Sequence, residues 1–195
     1  MQRLTNDKLD LRKNEDGSTS VIIKEVSKKG DKPVGTALVR DVIQRERKRV
    51  TISLEYLKES SDTIPANSSD ATNGKGSDSR IRFDLSDINH RDRLLDNKTG
   101  QTKLAPTGAT VGIGHELIHA KNHMDGTFLP KESTMEVCQA HPDRCYDHTY
   151  KEKNGEIRTQ TIAMEEANTV GFTGRSGPTE NAIRSEQGEE MKVKY

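Results

Sequence analysis

The chain has 195 residues, enough for one domain with flexible margins, and its 31 Lys and Arg balance its 31 Asp and Glu. With no net charge it lacks a global field for nucleic acid or an anionic membrane, and no run is long and apolar enough to span a bilayer. Hydrophobic residues are 30% of the chain and mean hydropathy is -0.90, so the core is small and aliphatic and much of the chain is loop.

Residues 1–20 are polar and expected to fray, as part of a flexible N-terminal segment, 1–33, ahead of one domain at 34–195. The first thirteen residues lack the apolar stretch of a signal peptide, so Sec export is not expected. Delivery by a specialised secretion machine, or release from a larger precursor, stays open. Val21, Ile22, Ile23 and Val26 predict a short strand. Ala37, Leu38, Val39, Val42 and Ile43 recur at helical spacing, predicting a helix over 36–49. The basic run from Arg45 to Arg49 suits the end of that helix better than a phosphate-binding patch. Val50, Ile52, Leu54 and Tyr56 alternate with polar residues and predict a strand.

Residues 59–79 are rich in Ser, Asp, Asn and Gly and read as a mobile loop. A second strand is expected over 81–85, as a sheet edge along which an extended peptide could add, and then a polar loop to about Pro106. Thr107 or Thr110 is a candidate cap for a helix running to Gly126. A Cys- and His-containing loop follows from Pro130 to about Gly155. Two further helices are expected, over 159–170 and 179–187. The class is α+β, with a small antiparallel sheet first and helices later.

Inside the helix ending near Gly126 stands His115-Glu116-Leu117-Ile118-His119, an H-E-x-x-H sequence. Two histidines four apart share a helix face and can converge on one ion, and the glutamate beside the first can reach a water without being a ligand. Zinc held by imidazoles, with a carboxylate base, is a hydrolytic centre. A third protein ligand is required. His123 sits one turn too far along, Asp125 could arrive from the turn after the helix, and Glu165 or Glu166 could arrive from a later helix. Glu165 is preferred, because Thr169 lies one turn on and could support the site. A metal-holding module that grips a partner without cutting it is the rival reading, although such a module has no use for Glu116.

The two cysteines offer a separate question. Cys138, His141, Cys145 and His148 could form a structural zinc site, or the cysteines could pair. Free thiols in a substrate-facing loop are the default expectation.

HELIHA at 115–120, EEANTVGF at 165–172 and TENAIRSE at 179–186 resemble, in that order, the NleD-type effector metallopeptidases. Such domains include type III secreted effectors and the C-terminal domains of Rhs-type toxins. The resemblance extends over about residues 34–195. It implies a zincin-like fold, one catalytic zinc per chain, and cleavage of a protein in the recipient or host cytoplasm after secretion without a cleavable signal peptide. It also implies an immunity protein or secretion chaperone as candidate partners, with no role for nucleic acid or membrane. Arg184, three after Asn181, could donate to the oxyanion of the reaction or form an ion pair with Glu165 or Glu166.

Overall fold

The computed structural model describes residues 1–57, 60–86, 91–130, 135–152 and 154–195. Residue 59 of the expected loop, 87–90 of the polar stretch before Pro106, and 131–134 and 153 of the Cys- and His-containing segment lie outside these. Residues 1–20 take defined secondary structure. A 3-10 turn at Gln2–Leu4 leads into a hairpin of Lys8–Lys13 (β1) and Thr19–Glu25 (β2). Two groups tie this part to the helix Pro33–Gln44 (α1). Leu4 is fully buried in the main apolar cluster. Asp7, also fully buried, takes two 2.6 Å hydrogen bonds from Arg40 of α1 and one of 2.7 Å from the Ser27 amide. The Arg40 guanidinium holds the Asp7 carboxyl below its ordinary range in spite of burial.

Proline at its start fixes α1, which ends before the basic run. Arg45, just past the helix, pairs with Asp41 one turn back and with Asp125. The strands Val50–Glu55 (β3), Asp62–Pro65 (β4) and Ser79–Asp84 (β5) then form a sheet in the order β3-β5-β4, with a short helix Ser68–Thr72 (α2) between the last two. The sheet is mixed, because β5 runs parallel to β3 and antiparallel to β4. Two expectations are corrected here. The described part of the expected loop, 60–79, is structured, and β5 is the centre of the sheet, leaving β4 at an edge. β4 has only four residues and ends in proline, so periodicity has little to detect. Its register on β5, including the Asp62 and Arg82 side-chain pair, holds it in place.

A second hairpin, Arg91–Leu95 (β6) and Thr102–Pro106 (β7), occupies most of the expected polar loop. Asp96 organises its turn by accepting the amides of Lys98 and Thr99 at 2.9 and 3.0 Å. The motif helix runs over Ala109–Asp125 (α3), with Gly108 at its N-cap and no side-chain cap, so neither Thr107 nor Thr110 serves. Gly126 ends it in the left-handed conformation at φ 71°. Val111, Leu117, Ile118 and Met124 of α3 pack in one cluster with Leu38, Val39 and Val42 of α1 and Ile81 and Phe83 of β5.

Met135–Ala140 (α4) precedes the hairpin of Cys145–Lys151 (β8) and Ile157–Ala163 (β9), and Met164–Val170 (α5) follows directly. The helix expected over 159–170 is therefore half strand: β9 pairs fully with β8 before the chain turns helical at Met164. Glu180–Glu186 (α6) starts where its cap, Thr179, accepts the Ala182 amide at 3.2 Å. Lys192–Lys194 (β10) then adds to β6, giving the order β10-β6-β7. α6 lies close against α3 because residue 114 is glycine. A Cβ there would come within 2.9 Å of Ile183 and 3.2 Å of Leu4. The class is mixed α+β as expected, with strands continuing to the C-terminal region. Among the described residues no helix is long and apolar enough to cross a membrane.

Candidate metal centre

His115 and His119 sit one turn apart on the face of α3 that looks toward α5 and α6. His119 is fully buried, and its Nδ1 lies 3.0 Å from Glu165 Oε1. His115 Nδ1 lies 2.9 Å from Glu180 Oε2. Both glutamates are held below the ordinary carboxylate range. Burial pushes each up, but charges and hydrogen bonds outweigh it: His119 and Asn122 at Glu165, Lys192 and His115 at Glu180. An ionised carboxylate only accepts, so each Nδ1 must be the donor, and in the neutral ring each Nε2 presents its lone pair.

Those two Nε2 atoms point at each other, 3.1 Å apart. Glu166 Oε2 completes a triangle with them, 3.3 Å from His115 and 3.4 Å from His119. Three acceptors this close repel unless positive charge lies among them. Burial disfavours charge on His115, yet the carboxylates of Glu166 and Glu180 overcome it and raise its pKa to about 10. The triangle also has the right size for a metal. Ligand bonds of about 2.0–2.1 Å in tetrahedral geometry set donor atoms ~3.3 Å apart, which all three edges match. Among the described residues His115, His119 and Glu166 are the one group of three His, Cys, Asp or Glu side chains so placed.

The expectation that Glu165 is the third ligand does not fit this geometry. Both Glu165 oxygens are turned away from the triangle, one to His119 Nδ1 and Asn122 Nδ2 (2.8 Å), the other to the Leu129 amide (3.1 Å). Successive residues at the start of α5 diverge by a quarter turn or more, so only one of the pair can face the imidazole tips. Glu165 instead orients His119, and Thr169 Oγ1 joins it there at 3.3 Å from Nδ1. Asp125 is distant in role, engaged by Arg45 and Lys121. Arg184 does not reach Glu165 or Glu166. It is fully buried and bonds Glu180 at 2.8 Å, Glu189 at 3.2 Å and Asp92. Its effect on the site passes through Glu180 to His115.

Glu116 is 6% exposed and lines the same cleft as His115 and Glu166, a space of about 790 Å³. Thr63 of β4 donates to Glu116 Oε2 at 2.6 Å and so fixes the direction of the carboxylate. Tyr195 lines the cleft as well and donates its phenol to Glu166 Oε2 at 2.6 Å. Burial and the neighbouring Glu166 push that phenol up from its ordinary pKa, so it keeps its proton.

Sequence reasoning did not find Glu180, Thr63 or Tyr195. Glu180 had one usable signal, its four-residue spacing from Arg184. Thr63 and Tyr195 come from segments with no motif. Among the described residues the Cys- and His-containing segment supplies no group of three metal-binding side chains. Cys138 and Cys145 are joined, with Cα atoms 5.5 Å apart, which replaces the expected free thiols. His148 bonds the Val193 carbonyl at 2.8 Å and stacks on Phe172 with centroids 3.8 Å apart.

A family model, Peptidase M91, described as effector protein, matches residues 6–195. No curated protein matches the chain.

Proposed function

Because the chain belongs to the Peptidase M91 family of effector proteins, we propose that it is a zinc-dependent endopeptidase of zincin-like fold that cleaves a protein in a recipient or host cell. The observation that carries this reading is the acceptor triangle of His115, His119 and Glu166, with Glu116 in the same cleft. His115, His119 and Glu166 would hold one zinc, which when bound polarises the scissile carbonyl and lowers the pKa of the attacking water toward about 7.

The chain's own residues do the rest. Glu116 accepts a proton from the water whose oxygen adds to the carbonyl carbon, and passes it to the amide nitrogen as the C–N bond breaks. Thr63 holds the carboxylate for both transfers. Glu165 and Glu180 fix the ring orientations and the proton on each Nδ1, so that the Nε2 lone pairs stay aimed at one point. β4 stands at the sheet edge, and Ser61 and Asp62 line the cleft. An extended substrate adding to β4 would run beside Glu116, whose partner Thr63 lies on that strand. Delivery by a specialised secretion system is part of the proposal and follows from the effector description of the family.

N-terminal labelling of recipient-cell lysate tests the reading. The intact protein should create a small set of new protein N-termini. A zinc chelator should abolish them, and added zinc should restore them. New termini that persist at full rate in chelator would remove the metal from the mechanism.

A further inference from the structure

The reaction places negative charge on the former carbonyl oxygen, and a buried donor aimed at that oxygen accelerates it. Arg184 was one candidate for that donor, but it is enclosed by Asp92, Glu180 and Glu189 and does not line the cleft. Tyr195 is another candidate. Its hydroxyl is 2.6 Å from Glu166 Oε2, one corner of the acceptor triangle, and the residue lines the cleft. A scissile carbonyl drawn to the triangle therefore comes within hydrogen-bonding reach of the same phenol.

The surrounding structure holds this hydroxyl in place before any substrate arrives. Asn181 of α6 clamps β10 by donating to the Lys192 carbonyl at 3.1 Å and accepting the Lys192 amide at 2.7 Å. His148 holds the next residue by its bond to the Val193 carbonyl. Lys192 lies over the Tyr195 ring, 4.5 Å from its centroid, and is itself anchored by Asp92 at 3.0 Å. Thus Asn181 anchors the strand that delivers Tyr195 to the cleft. A tyrosine needed only to fill space would not require a hydroxyl.

We propose that Tyr195 is a catalytic residue: its one phenolic hydrogen, bonded to Glu166 in the free protein, turns to the oxygen that becomes negative in peptide-bond cleavage. The inference rests on the peptidase reading. A purely positioning role, bracing Glu166 as a ligand, is the competing account, and zinc affinity separates the two.

The test uses the full chain and a synthetic peptide spanning a cut site found by the N-terminal labelling above. Tyr195→Phe keeps the ring over Lys192 and removes only the hydroxyl. It should retain one zinc and the parent's melting temperature, keep KM within about threefold, and lose roughly 10²-fold in kcat. Excess zinc should not restore the rate. An unchanged kcat would overturn the proposal, as would a loss that follows weakened zinc binding and is recovered by added zinc. The parent and Glu116→Gln run beside it. A parent that cuts nothing overturns the peptidase reading and this inference with it, whereas a parent and Tyr195→Phe that cut equally fast overturn the inference alone.

Discussion

Glu116→Gln should keep the metal and the fold while peptide cleavage falls by about 10²–10⁴-fold, the usual worth of a positioned acid–base group. The amide is nearly the same size as the carboxylate, and its oxygen can still accept the Thr63 hydroxyl that now donates at 2.6 Å. Glu116 belongs to none of the three corners of the acceptor triangle, so zinc content should be unchanged. What disappears is the acceptor for the water proton and its delivery to the leaving nitrogen. Steady-state cleavage of the cut-site peptide, with zinc content measured on the same samples, checks the separation. A variant that retains zinc and acts on recipient cells as strongly as the parent would instead support a module that grips its partner without cutting it.

The second large effect concerns the adjacent glutamates of α5. Glu166→Ala removes a corner of the triangle. If about 10–16 kcal/mol of zinc binding is divided among four ligands, each contributes roughly 2.5–4 kcal/mol, or about two to three orders of magnitude in affinity. Glu165→Ala removes a partner of His119 Nδ1 and leaves the triangle's three donor atoms in place, so a fall of about 10–100-fold is expected. Asp125→Ala should change nothing at the zinc, since its partners are Arg45 and Lys121. Competition against a chromophoric chelator ranks the three. If Glu165→Ala proves worse than Glu166→Ala, the ligand is Glu165 and α5 is rotated relative to the geometry described here.

The parts of this site legible in the sequence were those carried by one helix. His115, Glu116 and His119 share α3, and helical periodicity alone brings the two histidines to one face. The start of α6 was also readable, because Thr179 is a side-chain cap. Choosing between Glu165 and Glu166 was not a sequence problem. It depends on where α5 begins, and that is set by the pairing of β9 with β8, which ends at Ala163 with Cys145. Thr63 was hidden for a related reason. A four-residue strand has too few positions to show alternation, and its stability comes from partners on β5 far along the chain. Arg184 shows a further limit: the sequence offered it an ion pair with Glu165 or Glu166, whereas Asp92, Glu180 and Glu189 enclose it. Tyr195 reaches the cleft only because β10 joins β6, a pairing between segments almost a hundred residues apart.

The proposed zinc centre rests on three side-chain acceptors turned toward one point. Metal-edge X-ray absorption on the dialysed, zinc-loaded protein reads its ligands. One zinc per chain is expected, with two imidazole nitrogens and carboxylate oxygen at about 2.0–2.1 Å and no sulfur. Protein that binds no zinc, or zinc with sulfur among its ligands, would contradict it.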